Sequence, residues 1–289
     1  MFGGQKLPKP GTRDKNRTMR ERDARPKFAR PAARPRKRPF ERHIRTAAGG
    51  DEAPVVLYGW HTVSAALRNP ARRVRRLWAT ENALRRLAEA GIASAVAPEL
   101  VRPDQLAARL PPDAVHQGLL AEADPLESGA VEDLSDGIVL VLDQITDPHN
   151  VGAIVRTAAA FGVTAIVTTA RHSPEATGVL AKSASGGLEA VPLVTVTNLA
   201  RGLQALRASG FLLVGLAGEA PVELATADLR APLALVLGAE GKGLRQLTRT
   251  TCDVVARIAL PGEVQSLNVS NAAAVALYVA TSRLGVAGA

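Results

Sequence analysis

A continuous apolar run that ends in a glycine-rich turn constrains the fold of this chain most. Residues 233–237 read Leu-Ala-Leu-Val-Leu, and the turn over 238–243 reads Gly-Ala-Glu-Gly-Lys-Gly. A strand that is apolar at every position is typical of a parallel sheet with both faces covered. Residues 254–260, which are apolar except for Arg257, form another run of this kind, which stops at a Pro-Gly pair. Two strands that end in loops at one edge of an open sheet predict a ligand crevice there.

The same alternation of strands and helices extends over the chain from residue 138 onward and predicts an α/β fold with a largely parallel sheet. A shorter alternation over 53–125 predicts a small α/β domain. The predicted domains are a disordered basic arm (1–52), the small α/β domain (53–125), an acidic linker (126–137) and a larger α/β domain (138–289). The predicted strands are 55–58, 74–79, 93–97, 117–121, 138–142, 165–168, 193–196, 211–216, 233–237 and 254–260; the predicted helices are 61–68, 82–90, 104–110, 150–161, 176–181, 199–208 and 272–280.

Positive charge is concentrated at the N-terminus. Residues 1–46 hold 16 Lys/Arg and 4 Asp/Glu, whereas the rest of the chain holds 20 and 23. The segment is rich in Arg, Lys, Pro and Gly, so it cannot bury enough apolar surface to offset the entropy of ordering. Such an arm is either a solubilising tail or a ligand for phosphates, and its charge density favours nucleic acid. A second basic cluster at Arg72, Arg73, Arg75 and Arg76 is either a solvated face or an RNA contact.

Several classes of protein are excluded by composition. The single cysteine, Cys252, excludes an intramolecular disulfide framework and a cysteine-rich metal site, which fits a reduced, cytoplasmic compartment. No uncharged apolar run approaches the ~18 residues of a membrane span. No spacing of His, Cys, Asp and Glu indicates a metal, and no secretory signal follows the N-terminal charges.

The first polar motif, over 147–157, follows a predicted strand and opens a helix. Asn150 is expected to be its N-cap, and His149 to cap or pack. Arg156 lies two turns along a stretch otherwise built from Ala, Val, Ile and Thr. An arginine there is either a solvated residue or a pre-positioned ligand for an anion, and the polar residues at the helix start favour the anion.

The glycine turn fits neither common nucleotide fingerprint. Its spacing is G-x-x-G-x-G, whereas a dinucleotide loop needs G-x-G-x-x-G and a P-loop needs Ser or Thr after the lysine. A plain tight turn is the simplest interpretation. Glu240 between the glycines favours a ligand-binding loop instead. Glycines permit close approach of backbone to a ligand, and this carboxylate supplies one fixed charge.

The third polar segment reads Ser-Leu-Asn-Val-Ser over 266–270. Ser266 or Asn268 is expected to cap the helix that follows. That helix, over 272–280, is apolar nearly all round, which predicts burial on every side. Its small side chains favour close approach and suggest a subunit interface.

Taken together, these three segments resemble the three signature motifs of the SpoU family of RNA ribose 2'-O-methyltransferases. The motifs correspond to residues 147–157, 235–243 and 260–278. The resemblance also covers 182–192 and extends to 57–61 and 116–118. Those last two segments are similar to the subgroup that carries an N-terminal, ribosomal-protein-like RNA-binding domain and methylates a guanosine of 23S ribosomal RNA.

This resemblance implies a SPOUT fold with a trefoil knot, a homodimer and S-adenosylmethionine as the methyl donor, without a metal. It implies that backbone groups around Gly238, Ile258 and Leu267 hold the cofactor. The implied catalytic residues are Asn150, Arg156, Glu240, Ser266 and Asn268, with Arg156 binding the RNA phosphate. The alternatives are a tRNA ribose methyltransferase of the same family, a non-catalytic RNA-binding or ribosome-assembly protein and, disfavoured by the missing fingerprint, a nucleotide-dependent oxidoreductase.

Overall fold

The computed structural model describes residues 53–127, 129–170 and 178–285, which form two β-sheets with flanking helices. The predicted arm over 1–52 lies outside the described residues, as does the start of the helix predicted over 176–181. We call the described residues up to 125 the N-terminal module and those from 138 onward the C-terminal module. No helix in the described ranges combines the length and apolar character needed to cross a membrane.

The N-terminal module is built on a four-stranded sheet in the order β1-β4-β2-β3. Its elements are β1 (Val55–Tyr58), α1 (Trp60–Arg68), β2 (Val74–Ala79), α2 (Glu81–Glu89), β3 (Glu99–Leu100), α3 (Pro103–Ala107) and β4 (Leu119–Ala123). The predicted strand over 93–97 is wrong. Alanine is depleted in strands, and the Ser94 hydroxyl donates to Val96 O (2.8 Å) and accepts from Val96 N (3.3 Å), which closes a local turn instead.

The C-terminal module is built on a seven-stranded sheet in the order β7-β6-β5-β10-β8-β11-β9, with every registered pair parallel. The predicted parallel α/β sheet is therefore confirmed, whereas the knot stays a prediction. The strands are β5 (Ile138–Asp143), β6 (Ala165–Thr169), β7 (Leu193–Val196), β8 (Leu212–Leu216), β9 (Val222–Glu223), β10 (Leu233–Gly238) and β11 (Val254–Arg257).

Helices cover both faces of this sheet, which explains its continuous apolar strands. On one face, α4 (Pro148–Ala160), α5 (Gly178–Ala184) and α8 (Val269–Leu284) pack with alternate residues of β5 such as Leu140. On the other face, α6 (Leu199–Ala208) packs with the intervening residues such as Val141, and α7 (Gln246–Thr251) precedes β11.

The first turn of α4 differs from the prediction. Asp147, and not Asn150, is the N-cap, and its Oδ1 accepts a hydrogen bond from His149 N at 3.1 Å. Pro148 occupies the first helical position, where its fixed φ and missing N–H are tolerated. Asn150 therefore lies inside the first turn, and its side chain is available for contacts outside the helix.

Helix α8 also departs from its prediction. Asn268 is the N-cap, as one of the two expected choices, and Ser266 is not. Burial on every side is wrong for the single chain: Ala273, Ala276, Leu277 and Ala280 lie in the core, whereas Val275 is 38% and Tyr278 65% exposed. The helical period places Val275 and Tyr278 on one outward stripe, so α8 leaves an apolar strip uncovered.

Candidate active site

Three predicted site residues meet at the Glu240 carboxylate. Its Oε1 accepts hydrogen bonds from Asn268 Nδ2 (2.6 Å), Asn150 Nδ2 (3.3 Å) and the Val269 backbone N (3.1 Å). Asn268 Nδ2 also donates to Asn150 Oδ1 at 3.0 Å. The loop after β10, the first turn of α4 and the start of α8 are thereby joined, although these segments lie far apart in the chain.

The position of Glu240 is favourable electrostatically. Val269 is the first residue of α8, and the N-terminus of a helix attracts negative charge because its backbone N–H groups have no partners within the helix. All three donors converge on Oε1, and no other described residue donates a hydrogen bond to Oε2. Asn268 is held in turn, since its Oδ1 accepts from the Ser270 N and Oγ at 2.9 and 2.6 Å.

Two cavities adjoin this cluster. The first has a volume of about 400 Å³ and a polar lining. The second, of about 330 Å³, lies among the loops that follow β8, β10 and β11. Glu240, Lys242 and Val269 line both cavities, so the cluster forms a shared wall. The remaining polar side chains of the first cavity belong to Gln144, Thr146, Asp147 and Asn150.

The predicted cofactor residues all line the second cavity. Gly238, Ile258 and Leu267 contribute to its wall together with Ser266. A Cβ built on Gly238 would lie 2.2 Å from Gly243 C and 2.4 Å from Leu244 N. The glycine turn therefore folds directly onto the end of β10, and a side chain at 238 would occupy the space that this close approach needs.

An ion pair between the buried Asp143 and the partly exposed Arg245, which the sequence analysis did not predict, anchors the glycine turn. Asp143 at the end of β5 is fully buried, and its carboxylate accepts from Arg245 Nε (2.6 Å) and from the Arg245 backbone N (3.0 Å). The pair closes the loop over 239–245 against the neighbouring strand. A carboxylate at the end of an otherwise apolar strand was the one available signal for it.

Arg156 stands apart from the Glu240 cluster within one chain. It is exposed on α4, and no hydrogen bond or ion pair joins it to another described residue. It follows Asn150 by six residues, which places it about 9 Å further along the helix axis and about 120° around it. Asn150, Glu240 and Ser266 line the cavities, and Asn268 is bonded to two of them, whereas Arg156 lines neither cavity.

Two further charged groups border the second cavity. Glu219 and Arg249, both in its lining, form an ion pair with each other. A hydrogen bond with its own backbone and the Arg249 guanidinium lower the pKa of the Glu219 carboxyl. Over residues 53–127, 129–170 and 178–285, no group of three or more His, Cys, Asp and Glu is arranged to hold a metal ion.

The four arginines of the basic cluster in the N-terminal module pair with three carboxylates, one of which, Glu189, lies in the C-terminal module. Arg72 pairs with Glu189, Arg73 and Arg75 pair with Asp124, and Arg76 pairs with Glu99. Each of these guanidinium groups has a carboxylate partner. The four arginines in the sequence therefore overstate the positive electrostatic field of this face.

Comparison with known proteins identifies the family. The sequence model of the SpoU rRNA Methylase family matches residues 137–278, and one described as RNA 2'-O ribose methyltransferase substrate binding matches 56–129. The 23S rRNA (guanosine-2'-O-)-methyltransferase RlmB of Pseudomonas putida is 42% identical over 236 residues, which cover 78% of this chain and 94% of that protein. The chain belongs to the SpoU family. The resemblance carried by the three motifs is thus confirmed.

Other members of the SpoU family extend the comparison. RlmB of Pseudomonas aeruginosa is 43% identical over 238 residues, which cover 77% of this chain and 94% of that protein. Among solved structures, the SpoU methyltransferase AviRb of Streptomyces viridochromogenes, in complex with the cofactor AdoMet, has a TM-score of 0.67 at 25% identity. That match covers 82% of this chain and 92% of AviRb, so it includes both modules.

Proposed function

We propose that this protein transfers a methyl group from S-adenosylmethionine to the ribose 2'-hydroxyl of a guanosine in 23S ribosomal RNA. The observation that carries the proposal is the Glu240 cluster, which stands between two cavities at the C-terminal edge of a SpoU sheet. One cavity suits the methyl donor and the other the target nucleoside. The RlmB relatives, which this chain matches over nearly their whole length, support ribosomal RNA as the substrate.

The second cavity fits S-adenosylmethionine. Glycines and apolar residues line much of it, which suits a ligand held by backbone groups, and the close approach at Gly238 keeps that space free of side chains. The bound cofactor supplies an activated sulfonium methyl group. Backbone groups around Gly238, Ile258 and Leu267 would hold it in the cavity that Glu240 also lines.

The polar side chains of the cluster position the ribose. Glu240 Oε2 would accept the hydrogen bond of the 2'-hydroxyl, while Asn150 and Asn268 fix the carboxylate and Ser266 contacts the ribose or the cofactor. Alignment of two reactants in this way supplies much of the rate enhancement expected of an enzyme. Arg156 binds the RNA phosphate and stabilises the developing alkoxide. A guanidinium stays protonated at the pH at which proteins work, so the proton that the 2'-hydroxyl loses on methylation goes to a base other than Arg156.

A homodimer completes the proposed site. The outward stripe of α8 with Val275 and Tyr278 is apolar and uncovered in one chain, and Arg156 is exposed without a partner among the described residues. Pairing of two copies accounts for both features, because it covers the stripe and lets Arg156 of one copy act in the site of the other. We place the reaction in the cytoplasm, where ribosomes assemble.

The two modules divide the work in this proposal. Residues 53–125 bind the RNA substrate, and residues 138–289 carry out methyl transfer. The arm over 1–52 adds non-specific attraction to phosphates. Since the two arginines of β2, Arg75 and Arg76, are paired with Asp124 and Glu99, we expect the arm to supply more of the salt-dependent affinity than that strand does.

Mass-spectrometric mapping of ribose methylation in cellular RNA, with and without this protein, tests the proposal. One 2'-O-methylguanosine in 23S ribosomal RNA should disappear when the protein is removed. Loss of a methyl group from tRNA instead would reassign the substrate. Failure of the purified protein to bind labelled S-adenosylmethionine would point to a non-catalytic RNA-binding protein.

A variant separates the proposed catalytic role of Arg156 from cofactor binding. Arg156→Ala should abolish methyl transfer while the Kd for S-adenosylmethionine stays close to that of the wild type. Arg201→Ala is a matched control, because Arg201 is exposed on α6 at the opposite face of the sheet. Retention of most activity by Arg156→Ala would remove this residue from the mechanism.

A further inference from the structure

A buried ion pair joins the two modules at Glu189. Arg72 of the N-terminal module donates to the Glu189 carboxylate from Nε (3.0 and 3.1 Å) and from Nη2 (2.7 Å). Asn69 Nδ2 adds a third donor group at 2.7 Å. The Arg72 and Glu189 side chains are only 4% and 6% exposed. A two-pronged guanidinium–carboxylate contact fixes orientation as well as distance.

The partners of Glu189 are themselves held rigidly. The Arg72 N donates to Asn69 O, and the Ala71 N donates to Asn69 Oδ1, each at 3.0 Å, so the turn after α1 holds both side chains. Arg72 Nη1 also donates to Asp124 O at 2.6 Å, at the end of the N-terminal module. One guanidinium thereby ties Glu189 to two separate segments of the N-terminal module.

The turn that carries Glu189 is clamped between a helix of each module. A Cβ built on Gly186 would lie 2.8 Å from Ala65 Cβ of α1. A Cβ built on Gly187 would lie 3.0 Å from Val155 O and 3.3 Å from Arg156 Cα, both on α4. Consecutive glycines thus let α1 and α4 approach the same turn from opposite sides. Helix α4 is the helix that carries Asn150 and Arg156.

Further contacts extend this junction along α5. Thr62 Oγ1 donates to Ala181 O at 3.2 Å, and Lys182 Nζ donates to Gln117 Oε1 at 3.3 Å. Ala181 belongs to the hydrophobic core of the N-terminal module, and Leu188 packs against it. The junction therefore has an apolar centre and a buried polar edge.

We propose that Glu189 is a positioning residue for RNA methylation: its pair with Arg72 holds the RNA-binding module in one orientation on the methyltransferase module. The methylation kinetics that test this inference rest on the proposed function, whereas the distance measurement does not. The contact fixes the distance from the RNA-binding surface to the Glu240 cluster, so that one nucleotide of a bound RNA reaches the site. If the linker were the only connection, the module would present a range of nucleotides to the site. The effective concentration of the target nucleotide at the site would then be lower.

The orientation is measurable directly. Spin labels at Arg85→Cys and Arg201→Cys, both exposed and in different modules, report the distance between the modules by pulsed electron paramagnetic resonance. Cys252 does not interfere, since burial is the main cause that raises the pKa of its thiol to about 12. With the labelled protein exchanged into an excess of unlabelled protein, each dimer carries labels on one copy alone, and we expect one narrow distance distribution. After Glu189→Gln we expect a distribution at least twice as broad.

Matched variants separate docking from a general effect on stability. Glu99→Gln makes the same chemical change at a half-exposed carboxylate whose partners, Arg76 and Trp78, lie within the N-terminal module, and it should leave the distribution narrow. Arg72→Met alone should broaden it. The double variant Arg72→Met/Glu189→Met removes both charges together, and apolar replacement of a buried pair is often tolerated, so it should narrow the distribution again.

Methylation kinetics complete the test. For Glu189→Gln we expect kcat/KM on 23S ribosomal RNA to fall at least tenfold, the Kd for S-adenosylmethionine to stay within twofold, and the double variant to recover most of the loss. A narrow distribution in Glu189→Gln, or equal broadening in Glu99→Gln, would overturn the inference, as would a broadened distribution with unchanged kcat/KM. If the wild type methylated no ribosomal RNA, the proposed function would fail, whereas the distance measurement would still decide whether Glu189 docks the modules.

Discussion

Substitution of Gly238 by alanine tests the assignment of the second cavity to the cofactor. The added Cβ would lie 2.2 Å from Gly243 C, 2.4 Å from Gly243 O and 2.4 Å from Leu244 N. Non-bonded carbon contacts lie at about 3.5 Å, so the backbone at 243 and 244 must withdraw by about 1 Å. Main-chain atoms cannot make room by changing a rotamer, and the whole turn has to shift.

The cost of that shift follows from the contacts that hold the turn. Gly243 N donates to Ala239 O at 2.8 Å, and Arg245 is bound to the buried Asp143. Overpacking costs about 1–3 kcal/mol, and a weakened hydrogen bond adds about 1 kcal/mol. A total of about 3 kcal/mol, if borne by the cofactor site, corresponds to a Kd about a hundredfold higher.

Isothermal titration of S-adenosylmethionine into the purified full-length variant measures this effect. Gly262→Ala is the matched control, because Gly262 lies in a neighbouring loop with no atom within 4 Å of its added Cβ and no positive φ. The control should bind as the wild type does. A Kd for Gly238→Ala within threefold of the wild-type value would refute the placement of the cofactor against this turn.

Three other perturbations have defined outcomes. Arg245→Met leaves the fully buried Asp143 without its guanidinium and should lower the free energy of unfolding by about 3 kcal/mol in chemical denaturation; Arg102→Met breaks an exposed pair and should cost less than about 1 kcal/mol. The pKa of Cys252, raised to about 12 mainly by burial, leaves about one thiol in ten thousand ionised at pH 8. Alkylation in the folded state should therefore be slow and accelerate about tenfold per pH unit up to that pKa, whereas fast labelling of native protein at pH 8 would contradict the burial. Deletion of residues 1–46 should weaken RNA binding and flatten its dependence on salt; an unchanged salt slope in filter binding would show that the arm does not contact RNA.

The strands of the large sheet were predictable because their signal is local. A strand covered on both faces is apolar at each position, as in 138–142 and 233–237, and such runs need no knowledge of their neighbours. Predictions failed where a side chain hydrogen bond competes with the regular backbone pattern. Ser94 closes a turn where a strand was predicted, and the Asp147–Pro148 pair starts α4 ahead of Asn150.

The candidate site was predicted in its parts and not in its arrangement. Three motifs identified Asn150, Glu240 and Asn268 as site residues, and the fold brings all three to one carboxylate oxygen. The pair of Asp143 and Arg245 was missed because its members are 102 residues apart, so nothing in the local sequence around Asp143 identifies Arg245 as its partner. Residues that come into contact only after folding are not related by any periodic pattern along the sequence.

The sequence by itself determined the parallel sheet, the three motif loops and the family, because each is recorded in local residue order. Tertiary structure decided which charges are available. A count of arginines over 72–76 indicates a basic face, yet all of them are paired in the fold, one of them with the buried Glu189 from the other module. Net charge adds up along the chain irrespective of conformation, whereas the field that an RNA meets depends on which opposite charges folding brings within a few ångströms.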